Sequence, residues 1–138
     1  MPGSYLVDLS QGIVFTRAWG VLSFDICKAH ATTLEADPRY DPGSKQVVDL
    51  RDVTRITLTT TNVHELAGLT PFRRDARRAF VVASDEAFGL VRMFSTYLEV
   101  DPTQFGIFRS IEPGMQWVGL DPNAPWPPQA PDKTFGEE

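Results

Sequence analysis

With 138 residues, 42% of them hydrophobic and 22% charged, the chain has the length and composition of one globular domain and lies outside the charge-rich range that stays disordered. Its net charge of -5 argues against general nucleic-acid binding, and its longest apolar runs, such as Gly12 to Phe15 and Ala79 to Ala83, fall far short of the roughly 18 residues that span a bilayer. The first residues lack the basic start and apolar stretch of a secretory signal, and the lone Cys27 can form no internal disulfide, so the expected location is cytoplasmic.

Tyr5 to Leu9 and Ile13 to Trp19 read as two strands joined by the turn Ser10-Gln11-Gly12, a hairpin. Ser23 is the expected cap of a first helix, whose apolar face is Phe24, Cys27, Ala31 and Leu34 and which stops near Ala36, ahead of Pro38. Lys45 to Leu50 lacks alternation and reads as a central strand covered on both faces. A second helix carries Val63, Leu66, Ala67 and Thr70, with Asn62 and Glu65 resembling a capping box and Thr60 or Thr61 as rival caps. Arg78 to Ala83 is a fourth, buried strand. Ser84 caps a third helix with the core stripe Ala87, Leu90, Val91, Phe94 and Leu98 and with Asp85 and Glu86 in its first turn. Phe105 to Arg109 is a fifth strand, and Ser110 opens a short fourth helix. Five prolines crowd residues 121–138 without hydrophobic period, so the domain is placed at 1–120 and a proline-rich tail at 121–138. The order β-β-α-β-α-β-α-β-α implies an α/β fold, with a mixed, mainly parallel sheet opened by an N-terminal hairpin.

That order, with Val47-Val-Asp-Leu-Arg-Asp-Val53 at the third strand and its exit, resembles the SpoIIAA-like branch of the STAS superfamily, the anti-sigma-factor-antagonist fold. The resemblance covers about Tyr5 to Leu120. It includes Asp37-Pro-Arg-Tyr-Asp-Pro before that strand, Ala76-Arg-Arg-Ala-Phe-Val-Val-Ala83 on the fourth, and Ala87-Phe-Gly-Leu-Val-Arg-Met-Phe94 on the third helix. It implies a non-enzymatic regulatory module that engages a protein partner. In the phosphorylated antagonists an Asp-Ser-Ser-Gly type segment follows the third strand; the matching stretch here is about Thr57-Leu-Thr-Thr60, with threonine for serine and without the acid and glycine. Relatives described as STAS/SEC14-like imply a lipid or small apolar ligand.

At the C-terminal ends of the parallel strands, where open α/β sheets bind ligands, stand Asp49, Arg51, Asp52, Thr57, Thr59, Ser84 and Asp85. Asp49 and Asp52 would act as an acid pair if both faced one cleft, each raising the other's proton affinity; otherwise an aspartate at a strand exit accepts loop amides or pairs with an arginine such as Arg51. His30 and His64 lie on different helices with no ligand spacing around them, so neither a metal nor any other cofactor is expected. Cys27 falls on a buried stripe, where a small apolar side chain fits. Neither a nucleophile elbow nor a glycine-rich phosphate loop is present.

Arg73, Arg74, Arg77 and Arg78 form the one dense positive cluster, suited to a phosphate, an anionic head group or an acidic partner, or else a solvated loop. On the third helix Phe88, Met93 and Tyr97 lie off the core stripe, so a second face must be covered by another helix, a ligand or a second subunit. The expectation is a non-enzymatic STAS-like regulatory or binding module, a homodimer in the first instance. The alternative is a protein that binds a small apolar ligand or an anionic lipid surface, with the arginine cluster at the mouth of a pocket between sheet and helices.

Overall fold

The computed structural model describes residues 3–126, 131 and 133–135. The elements run β1 (Gly3–Asp8), β2 (Ile13–Leu22), α1 (Phe24–Glu35), β3 (Lys45–Ile56), α2 (Thr60–Leu69), β4 (Arg78–Val81), α3 (Asp85–Leu98), β5 (Phe105–Phe108), α4 (Ile111–Trp117) and β6 (Lys133–Phe135). They form one mixed sheet in the order β5-β4-β3-β2-β1-β6. β1 and β2 make the antiparallel hairpin, and β2 to β5 pair in parallel. Gly12, at φ 63°, supplies the left-handed residue of the hairpin turn.

Each parallel pair needs a crossover, and α1, α2 and α3 supply them. The strand order steps in a single direction, so crossovers of one hand leave all three helices on the same side of the sheet. Strand alternation then sorts the core. Val14, Val48, Phe80 and Val82 point to the three-helix side, where they meet Ile26, Leu34, Ala87 and Val91. Ile13, Phe15, Val47, Ala79 and Val81 point the other way, onto Met115 of α4 and Val118.

The largest departures from the sequence reading concern β2, β3 and the start of α2. β3 continues past Leu50 to Ile56 beside a longer β2; its register against β2 shifts between Arg17 and Trp19 and again between Gly20 and Val21. At each shift one extra β3 residue is accommodated, and such irregularity defeats simple alternation. The cap of α2 is Thr59, not Asn62, Thr60 or Thr61: Thr59 Oγ1 accepts from the Asn62 amide, and the Asn62 side chain accepts from the Thr59 amide. The box is therefore closed by an asparagine at the third helical position. Ser23 and Ser84 cap as expected, whereas Ser110 precedes α4 without a side-chain cap bond.

Within 121–138, Trp126 lies edge-on to Phe15, and Lys133–Phe135 adds β6 to the free edge of β1, pairing with Gly3, Ser4 and Tyr5. The polyproline-like stretch at 128–131 falls largely outside the described residues.

Candidate functional site

A chamber of about 130 Å³ lies between the sheet and the three helices. Its walls are apolar: Ala18, Val48, Leu50 and Phe80 from the sheet, Ile26 and Ala31 from α1, Val63 and Leu66 from α2, and Leu90, Val91 and Phe94 from α3. Among the described residues no carboxylate lines it. Its polar groups are few: Thr16, Gln46, Arg78 and His30 converge from three adjacent strands and one helix, and Thr70 joins them from the end of α2. Gln46 sits beside Arg78 in the β3–β4 register and beside Val14, two residues before Thr16, in the β2–β3 register, so all three strand residues share the inward face.

Their hydrogen bonds form a chain, directed from Arg78 through Gln46 to Thr16. Arg78 can only donate, and its Nε gives a 2.9 Å bond to Gln46 Oε1. That orients the amide, and Gln46 Nε2 donates to Thr16 Oγ1 at 2.9 Å. The Thr16 hydroxyl also lies 3.0 Å from His30 Nε2, and the direction of that bond follows the histidine tautomer. Burial, reinforced by the positive charge of Arg78, pulls His30 down to about 3, so the ring is neutral. Burial alone pushes the Cys27 thiol up to about 12, keeping it protonated and inert as a nucleophile.

Arg78 is 6% exposed, and among the described residues no carboxylate pairs with it. Its guanidinium lies over Phe72 at 4.6 Å and near Phe80 and Phe94. Desolvation lowers its proton affinity to about 9. It stands between the chamber and a second, wetter groove of 350 Å³, lined also by Arg73, Arg74, His64 and Tyr97.

The arginine cluster read from the sequence thus divides. Arg73 and Arg74 are exposed and pair with Asp75 and Glu99; with Arg78 they border the groove. Arg78 is no loop residue but the buried first position of β4, and Arg77 points to the opposite side of the sheet. There Arg77 stacks 3.9 Å from the Trp117 ring centre and donates to the carbonyl oxygens of Trp117 and Thr103 and to Gln104. Adjacent strand residues cannot share a face.

Asp49 and Asp52 do not share a cleft. Asp49, 2% exposed, is on the α4 side, clamped by the Arg51 side chain and amide and by the Trp126 indole. Burial would raise its carboxyl, but those bonds outweigh it and hold the group below the usual carboxylate range. The Asp52 side chain is 57% exposed and pairs with Arg17. Thr57 is exposed, its amide bonded to the Leu22 carbonyl, and Thr59 is committed to the α2 cap. Ser84 caps α3, and Asp85 pairs with Arg109.

The off-stripe face of α3 is partly covered within the chain. Tyr97 meets His64 of α2 with ring centres 5.0 Å apart, and Phe88 lies under Arg109; Met93 is half-buried. Among the described residues no cluster of acidic, histidine or cysteine side chains is arranged to hold a metal, and no helix is long and apolar enough to cross a membrane.

Sequence reasoning did not single out Thr16 and Gln46. Their signal was present as polar residues on the inward-facing register of otherwise apolar strands.

Comparison with protein-family models, with curated proteins and with solved structures finds no match to this chain.

Proposed function

We propose that this protein is a non-enzymatic binding module of STAS-like build that holds a small apolar ligand between its sheet and its three crossover helices. The chamber carries the reading. At 130 Å³ it is close to the cavity of about 150 Å³ that takes up a single aromatic ring in an otherwise well-packed core. Protein interiors are ordinarily filled to crystal-like density, so an apolar space of this size with a few oriented polar groups has the make-up of a ligand site. The chemistry of those groups supports binding over turnover: the cysteine stays a thiol, the histidine stays neutral, and the polar groups are tied to one another. The hairpin-led element order supports the STAS-like part of the reading.

Benzene is a suitable first probe. Titrating it into protein labelled at its methyl groups should shift the Val48, Leu66 and Val91 signals and leave those of the α4 side, such as Val118, in place. Filling the chamber by Ala31→Leu should abolish those shifts without loss of stability, because the added carbons occupy existing space. Methyl signals that stay unmoved at saturating benzene in the parent protein would overturn the reading.

A further inference from the structure

We infer that the ligand of this chamber is a compact apolar carboxylic acid, bound as its anion with the carboxylate on the guanidinium of Arg78. The inference rests on the chamber reading and adds the head group. A buried charge without a counter-ion is costly, and among the described residues Arg78 has only neutral partners: Gln46 Oε1, a long 3.4 Å contact from Nη1 to Thr70 Oγ1, and aromatic faces. A guanidinium carries five N–H donors. Gln46 takes the Nε proton and so fixes the plane of the fork, and Nη2 makes no hydrogen bond among the described residues. The free end is therefore the Nη1–Nη2 edge, which presents two parallel donors in the geometry that matches the two oxygens of a carboxylate.

Position and charge narrow the class further. Arg78 borders both the apolar chamber and the outer groove, so a ring or short branched chain fills the one while the carboxylate meets the cation at the boundary. One guanidinium balances one negative charge. Arg73 and Arg74, which would be needed to hold a phosphate dianion, are exposed and already paired with Asp75 and Glu99. The Tyr40 hydroxyl is likewise buried without a partner among the described residues.

Benzoate, benzamide and benzene separate the terms, because they share a ring and differ in head group. At pH 7 the parent protein should bind benzoate at least about tenfold more tightly than benzamide, the factor expected when a charge-assisted pair replaces a neutral one. Arg78→Met should erase that difference while benzene affinity stays within about twofold, which also shows that the variant is folded. If benzene binds but benzoate is no tighter than benzamide, the head-group inference is wrong and the chamber reading survives. If none of the three binds, both fall. Displacement of benzoate by equimolar inorganic phosphate would also overturn the carboxylic-acid class, since it would make the site a general anion site.

Discussion

The tripeptide spacing Asp-x-Arg occurs three times and closes into a clamp twice; in Asp75-Ala-Arg77 the aspartate pairs with Arg73 and the arginine with Trp117, Thr103 and Gln104. In Asp37-Pro-Arg39 and Asp49-Leu-Arg51, the arginine amide and Nε donate to Oδ1 and Nη2 donates to Oδ2. In the extended backbone of β3 residues two apart share a face, so the Asp49–Arg51 pairing was legible in the sequence; Asp37–Arg39 closes instead within a turn held by the Tyr40 amide on the Asp37 carbonyl, and the third partner of each clamp, Tyr5 for Asp37 and Trp126 for Asp49, was not legible. His30 has the opposite character, a base kept neutral. Its folded proton affinity is lowered, first by burial and then by Arg78, to about 3 against an unfolded value near 6.5. Between those limits the unfolded chain binds a proton that the folded chain refuses, so stability falls as pH is lowered through that window, with a limiting slope of about 1.4 kcal/mol per pH unit. Urea unfolding between pH 6.5 and 5 should show a slope in the parent protein that starts near half this limit and approaches it toward pH 5. It should be reduced in His30→Gln, whose amide can still hydrogen-bond to Thr16 in either direction. Equal slopes would mean that His30 is accessible to protons in the folded state.

Helices and strands differed in how well their limits could be read. α1 and α3 announce themselves by a serine cap and a clean apolar stripe, and both begin at the expected residue. α2 follows a run of threonines and an asparagine, any of which can cap, and only the reciprocal bonds of Thr59 and Asn62 decide among them. β3 carries its register irregularity where apolar alternation gives way to Arg51-Asp-Val-Thr-Arg, so its second half reads as loop. The chamber was expected only in outline, because its polar floor comes from strands whose pairing no local pattern specifies. α2 contributes Val63 and Leu66 to that chamber, and the Thr59 cap anchors its first turn. Thr59→Ala should cost about 1 kcal/mol and should speed amide exchange across α2 more than across α1 or α3. Thr59→Asp, which keeps an acceptor and suits the helix dipole, should restore most of both. A uniform change in exchange over all three helices would show that α2 has no independent opening.

At the scale of the whole molecule, one sheet separates two cores of different use. The three-helix side contains the chamber and a polar chain tied within itself; the α4 side is closed by Trp117, Leu120 and Trp126 packed on Phe15, Val47 and Val81. The segment after α4 helps to seal that second side, since Trp126 both covers Phe15 and donates to the buried Asp49, and the chain then lays β6 along β1, leaving β1 no open edge in the span Gly3–Tyr5. Trp126→Phe retains a ring against Phe15 but removes a bond to a buried carboxylate, a loss of about 1.5–3 kcal/mol. Trp126→Ala removes the packing as well and should cost more. Asp49 and Gln46 stand on opposite faces of β3, with their side chains in networks that share no partner, and effects at sites without common partners add. Both variants should therefore lower the urea midpoint while the benzene affinity of the chamber stays within about twofold of the parent, below the 0.5 kcal/mol at which coupling becomes measurable. An affinity that moves in step with stability across the two variants would instead show that β3 transmits strain from one face to the other, and that the seal on the α4 side sets the shape of the chamber.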